Sequence, residues 1–473
     1  MTDLTPIILW FRRDLRLADH AALTAACASG RPVIPVFIHD DVTTALGAAP
    51  LFRIGRGVQV FAAALAARGS RLILRRGRAH EVIQKLVADT GAGAVWWSRA
   101  YDPAEQARDI AVKAALRDAQ VDAQSFTGHL LHEPSTVQTG QGGFYKVFTP
   151  FWNAVRGRDL PGLLPAPGRI AGPAVWPASD DLAEWQMAAA MRRGAAVLAP
   201  HLQVGEVAAR GRLDAFLQTG IADYVTNRNL PGINGTSGLS ENLTHGEISP
   251  LACWHAGWRA MQEGKAGAET FIKELVWREF AYHLLHHTPH ILSANWKPVW
   301  DAFPWNTNVL SPEVKAWQQG RTGVPFVDAA MRQMYVTGTM HNRGRMIVAS
   351  YLTKHLMTDW KIGLNWFADC LIDWDPASNA MGWQWAAGSG PDAAPYFRIF
   401  NPVTQLEKFD PAGTYAKTWI AEGQRNPPAS ALSYFEAIPQ GWQMTPQARY
   451  PAPVVGLADG RDRALQAYAA RVV

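Results

Sequence analysis

Two textures in the 473-residue sequence predict an α/β N-terminal domain on a doubly wound parallel sheet, followed by an all-α C-terminal domain. Over the first 130 residues, short apolar runs alternate with amphipathic segments. From about residue 200, apolar positions recur three and four apart and strand-like alternation nearly vanishes. A third observation is a skew: fourteen of the 20 tryptophans lie after residue 250. A core role accounts for one or two of these comfortably and for the whole group poorly.

The runs IILWF (7–11), VIPVFI (33–38), RLILR (71–75) and AVWWS (94–98) read as buried strands. HAALTAACASG, GVQVFAAALAARG and AHEVIQKLVADTG lie between them, and AEQARDIAVKAAL (104–116) follows, each with apolar residues at helical spacing. Such alternation implies right-handed crossovers and a sheet covered by helices on both faces. No GxGxxG follows the first strand, so a dinucleotide site of the Rossmann kind is not indicated. Residues 157–180 hold five prolines and read as a connector laid over a surface, without chemistry of its own. The resulting division is a sheet domain over 1–130, a connector over 131–204 and a helical domain over 205–473.

Composition narrows the class. Apolar residues make up 48% and charged residues 18%, as in folded globular chains rather than disordered ones. No apolar run is long enough to span a bilayer, so no membrane partner is expected. Asp3 precedes the first apolar run and arginines follow it, the wrong order for a signal peptide. Cys27, Cys253 and Cys370 are too widely spaced for a disulfide framework or a metal cluster, which suits a reducing cytoplasm. A net charge of +5 and a pI near 9.1 permit a polyanionic partner.

Several segments carry candidate chemistry. In GINGTSGLSEN (232–242), small residues leading into a helix can present amides and hydroxyls to a phosphate, or form a plain loop with Ser240 as N-cap. ELVWREF sets Glu274, Trp277 and Arg278 on one helix face, able to bind a flat polar ring or to make an ion pair over a packed indole. His283, His286, His287 and His290 fall near ligand spacing, but Pro289 ends their helix and no Cys or Glu completes a site; no metal is expected. Asn342, Arg343, Arg345 and Met346 lie in MHNRGRMIVAS, where adjacent residues point in different directions, either onto a cavity or along a basic surface. Asp373 and Asp375 stand where an apolar helix ends, an unfavourable place for negative charge. They need a partner: an arginine such as Arg345, a sugar hydroxyl or a ligand N–H. Trp383 and Trp385 beside them can stack on a planar ligand or carry electrons.

WFRRDLRLADHAAL at the start, FYKVFTPFW (144–152), GTSGLS (235–240), KELVWREF (273–280), GVPFVDAAMRQM (323–334), MHNRGRM (340–346) and GWQWAAGSGPDAAPYFRIFNP (382–402) together resemble the photolyase/cryptochrome family. Within it they resemble the bacterial class I cyclobutane pyrimidine dimer photolyases. The resemblance implies one FAD, reduced when active, in the helical domain, and an antenna chromophore in the sheet domain. That chromophore would be methenyltetrahydrofolate or 8-hydroxy-deazaflavin, with a second flavin or none also open. It implies light-driven repair of pyrimidine dimers in UV-damaged DNA by a monomeric bacterial enzyme. A cryptochrome-like photoreceptor and (6-4) photoproduct repair are the alternatives.

Residue by residue, the resemblance assigns FAD contacts to Tyr224, Thr236, Ser237, Gly238, Leu239 and Ser240, with Gly238 standing where many relatives have an arginine. Asp373 and Asp375 are implied as flavin-edge carboxylates with Arg345 as partner, and Asn379 as the residue facing flavin N5. Glu274, Trp277, Asn342, Met346 and Trp385 would form the lesion pocket; Asn342 and Met346 replace a histidine pair of (6-4) enzymes. Trp383, Trp360 and then Trp305 at the surface would relay electrons. Arg228, Arg278, Arg343 and Lys408 are candidates for DNA phosphates. Glu105 matches an antenna-binding carboxylate of folate-binding relatives, although a solvated helix glutamate is the plainer reading.

Overall fold

The computed structural model describes residues 5–471. Five parallel strands, β1 (Ile7–Phe11), β2 (Val33–His39), β3 (Ile73–Arg76), β4 (Ala94–Ser98) and β5 (Asp122–Phe126), form one sheet in the order β3-β2-β1-β4-β5. The alternation of β1 shows the double winding directly. Ile7, Leu9 and Phe11 enter one core cluster, while Ile8 and Trp10 enter another on the opposite face. Four of these strands match the apolar runs in the sequence. β5, with the sequence DAQSF, was not expected: it is an edge strand, its side chains are exposed or half-buried, and it carries no apolar run to read.

The connector is less idle than its prolines suggest. Ile170 N–H donates to Arg68 O at 3.0 Å, Val33 N–H to Ala171 O at 2.7 Å, and Asp180 N–H to Leu74 O at 2.9 Å. Ile170 is fully buried, and Trp185 and Met187 complete the same core cluster. The segment satisfies its backbone against loops and strand ends of the sheet domain rather than through a ladder of its own.

Beyond residue 205 the chain is helical, and no described helix is long and apolar enough to cross a membrane. The tryptophan skew needs correcting here. Trp300, Trp305, Trp317, Trp360, Trp383 and Trp419 are all buried in one core cluster, so packing explains more of them than expected.

The arginine-rich segment after β1 docks the two domains. Arg13 Nε donates to Thr244 O at 2.9 Å, Leu15 N–H to His245 O at 3.2 Å and Arg16 Nη1 to Gly246 O at 3.0 Å. Gly246 has φ +63, and a Cβ there would meet Arg13 O at 2.1 Å. Only glycine permits both the backbone twist and the close approach.

Candidate functional site

One cavity of about 670 Å³ opens in the helical domain, within the range of cofactor sites. It is lined by the loop residues Thr236 to Ser240 with Tyr224, by Arg345, Asp373, Asp375 and Asn379, and by Glu274, Trp277, Asn342, Met346 and Trp385. Residues far apart in sequence thus converge on one space. Arg228, Arg278, Arg343 and Trp383 also line it; Trp360, Trp305, Lys408 and Glu105 do not.

The acid pair splits into two different roles. Asp373 receives Arg345 Nη2 on both oxygens, at 3.0 and 2.7 Å, as anticipated. Asp375 has other partners: Tyr282 Oη donates to it at 2.5 Å and Arg13 Nη2 approaches at 3.5 Å. The helix-end argument also needs correcting. The preceding helix closes at Cys370, and Asp375 instead caps the next helix, Pro376–Ala387, accepting from Ser378 N–H at 2.8 Å. There the helix dipole favours negative charge, and Pro376 at the first helical position was the signal to read. Burial pushes the Asp375 carboxyl up, but Arg13 and Arg278, with the bonds from Tyr282 and Ser378, hold it below its ordinary value.

Asn379, one turn into that helix, lines the cavity and donates Nδ2 to Asp375 O at 3.0 Å, which leaves its Oδ1 as a neutral acceptor. Ser240 does not cap: the N-cap of the short Ser240–Thr244 helix is Leu239, without a side-chain bond, and Ser240 stands exposed on the cavity.

Elsewhere on the lining, Trp277 stacks on Phe148 with ring centroids 3.7 Å apart and planes 5° from parallel. Phe148, from the FYKVFTPFW motif, is a supporting residue that sequence reading did not single out. Glu274 pairs with Arg228 at 2.7 Å, not with Arg278. Burial pushes its carboxyl up and Arg228 partly offsets that, so Glu274 takes a proton more readily than an exposed glutamate.

Two phosphate candidates therefore change role. Arg228 is engaged by Glu274. Arg278 lines the cavity, but its guanidinium is tied back, donating to His129 O and Nε2 at 2.8 Å each. Arg343 and Lys408 do gather on one ring, Phe409, at 4.6 and 5.3 Å, with Lys408 exposed.

Of the relay tryptophans, Trp383 packs against Gly363, where a Cβ would meet its ring at 2.0 Å; Trp360 lies one turn earlier on the same helix. Trp305 is not at the surface: it is 9% exposed and stacked on Trp300 at 5.6 Å, because Trp300 and Phe303 cover it. Glu105 is not a solvated glutamate either; it is half-buried, and burial pushes its carboxyl up against the fields of Arg13, Arg108 and Arg12. His283 is buried and His287 stacks on Phe144 at 4.7 Å, while His286 and His290 are exposed, and no group of three metal-ligating side chains occurs among the described residues.

The cavity fits a dinucleotide carrying a planar ring. Small residues line the end suited to phosphates, and the Trp383 indole N–H is buried without a partner among the described residues. Fold and cavity together define a two-domain flavin-binding protein of the photolyase and cryptochrome class. Residues 271–470 match the FAD binding domain of DNA photolyase, and residues 7–168 match DNA photolyase. A deoxyribodipyrimidine photo-lyase of Agrobacterium fabrum is 44% identical over 98% of each chain. A bacterial class III photolyase structure from Agrobacterium tumefaciens superposes with a TM-score of 0.91 at 42% identity, covering 99% of this chain and 98% of that one. A Synechocystis cryptochrome follows at 0.84 and 27%, over 98% of this chain and all of the other. The chain belongs to the DNA photolyase family. The motifs resemble class I while that solved relative is class III, so the match secures the family and not the subclass.

Proposed function

We propose that the protein repairs cyclobutane pyrimidine dimers in UV-damaged DNA, using light absorbed by a reduced FAD held in this cavity. The observation that carries the reading is its continuity: the small-residue loop, the acid pair and the two indoles open on one space. When bound, the reduced flavin would supply a light-driven electron for splitting the dimer and take it back afterwards, so that nothing is consumed.

The chain's own residues do the rest. Splitting requires both bases beside the ring, so they leave the duplex; the base-flipping principle itself names photolyases, and it is applied here as a general rule. Trp277, braced by Phe148, and Trp385 offer apolar faces to the everted bases. Glu274, held by Arg228 and readily protonated, hydrogen-bonds a pyrimidine carbonyl. Asn379, its Nδ2 already given to Asp375 O, would offer the flavin edge a neutral amide oxygen rather than a negative charge. Asn342 and Met346, within 3.9 Å of each other, hold the place where a (6-4) enzyme needs proton-moving histidines. Arg343 and Lys408 touch phosphates without reading sequence.

Residues 1–130 serve as the antenna domain, 131–204 as connector and 205–473 as the FAD and DNA domain. The second chromophore is a methenyltetrahydrofolate or an 8-hydroxy-deazaflavin, and the enzyme works as a monomer in a bacterial cytoplasm. Purified protein, reductant and blue light should restore a thymine-dimer oligonucleotide; dimer content unchanged after illumination would sink the proposal. The cryptochrome alternative would require light-dependent partner binding without repair.

A further inference from the structure

The loop from Thr236 to Ser240 contains no basic side chain, yet an arginine stands directly behind it. Arg212, on the Glu206–Ala215 helix, donates Nη1 to Gly238 O at 2.8 Å and to Asn242 Oδ1 at 2.9 Å, and also bonds the Glu241 carboxylate. Arg212 is outside the cavity lining, whereas Gly238 and Leu239 belong to it. In a trans peptide the C=O and the following N–H point in opposite directions. With the Gly238 carbonyl held by Arg212, the Leu239 N–H is aimed to the other side, where the cavity lies. Released, the Gly238–Leu239 peptide could turn over and present its oxygen to an anion instead. Gly238 is at φ +63 and has no side chain to resist that rotation.

What holds Arg212 comes from the other domain. Glu241 also accepts from Arg53 Nε at 3.3 Å, and Arg53 forks onto Glu247 at 2.9 and 2.6 Å. Asn242 closes the ring, donating Nδ2 to Glu247 at 2.6 Å and to Gln203 O at 2.8 Å. Arg53 belongs to the Ala48–Ala66 helix of the sheet domain and is wholly buried, as are Glu247 and Asn242. Two arginines balance two glutamates, and none of these side chains has a buried atom without a partner among the described residues. A buried ionic cluster this complete is rigid, since loss of any member strands another charge.

We propose that Arg212 is a positioning residue for the diphosphate of FAD, anchored from the sheet domain by Arg53. It works by fixing one peptide plane so that its N–H, not its carbonyl, meets the anion. The inference rests on FAD being the occupant, and the experiment separates the two: a wild-type chain that takes up no FAD fails the cofactor reading itself.

The test strips FAD from full-length protein and titrates it back, following flavin fluorescence, with apoprotein thermal unfolding measured alongside. Arg212→Met should raise the FAD Kd about tenfold, the size of one charge-assisted hydrogen bond. Arg212→Lys, which keeps the charge and a donor, should recover most of the loss. Arg53→Lys, which keeps the charge but not the fork, should shift Kd in the same direction by less. Wild-type affinity in Arg212→Met or Arg53→Lys overturns the relay. So does a loss in Arg212→Met that Arg212→Lys does not recover and that tracks a lower apoprotein unfolding temperature.

Discussion

The carboxyl end of the sheet and the cavity of the helical domain are both crowded with arginines, carboxylates and indoles, yet they use them in opposite ways. At the sheet end the charged groups pair with one another, although the Trp10 indole N–H and Arg108 Nη2 are buried without a hydrogen-bond partner among the described residues. Arg12 and Arg108 both lie against Trp10, with guanidinium carbons 4.3 and 4.8 Å from its ring centroid. Arg12 pairs with Asp109 at 2.7 Å and Arg108 with Asp40 at 2.9 Å. In the cavity, pairing stops short of closure. Asp373 has its arginine and Asp375 its tyrosine, but Asn379, Ser240, Trp383 and Trp385 all border the open cavity, and the Trp383 indole N–H has no hydrogen-bond partner among the described residues. Polar groups cancelled in place stabilise a fold, whereas polar groups left aimed inward select a ligand.

The largest break in that contrast should come from Asp375→Ala, which strands the buried Tyr282 hydroxyl, takes a partner from half-buried Arg13 and removes a helix cap at once. Urea unfolding should show a loss of about 3–5 kcal/mol, accompanied by loss of bound FAD.

Next comes a buried acid at the domain seam. Glu279 accepts from Leu131 and His132 N–H, but its Oε1 has no hydrogen-bond partner among the described residues, and burial pushes its carboxyl up to about 7. A raised folded value means its contribution is fully present below the ordinary value of 4.5 and is lost as pH rises through about 7. Glu279→Gln keeps an acceptor oxygen and cannot ionise. It should match wild type near pH 4 and be more stable near pH 8 by about 3 kcal/mol, as unfolding at the two pH values would show.

Trp277→Ala sharpens the ligand side of the comparison. Dimer-containing DNA should bind roughly 10- to 100-fold more weakly while flavin content stays normal, the size expected for one lost stacking face. Loss of flavin instead would make Trp277 structural. Asp109→Ala tests the self-satisfied side. It should lose about 1–2 kcal/mol of stability, since Arg12 retains the Ser98 carbonyl, with FAD affinity unchanged in the same titration. Smallest of all, Lys408→Ala should lower the salt dependence of DNA binding by about one phosphate contact, with little change in repair at low salt.

The helical cavity was legible mainly as a set of motifs. Thr236 to Ser240, Asn379, Trp277 and Trp385 could each be named because each motif is local in the chain. What the motifs could not supply was partnership. Glu274 and Arg278 sit at i and i+4, yet Glu274 turns to Arg228, which approaches from another helix. Arg212 and Phe148 escaped notice because each acts from behind a residue that does carry a signal. β5 escaped because an edge strand needs no apolar run, and Trp305 was placed at the surface because its covering neighbours, Trp300 and Phe303, are tertiary facts.

Sequence alone determined the alternation that builds a parallel sheet, the helical periodicity of the second half and the residue types gathered around the cavity, because each is written in spacing of a few residues. Tertiary structure decided which charge meets which: that Asp375 caps a helix and takes Tyr282, that Arg278 is held by His129, and that Arg53 reaches across the domain seam to the loop. The physical reason is range. Backbone preference and amphipathic period act between neighbours in the chain, whereas ion pairs and burial depend on distances that only packing sets.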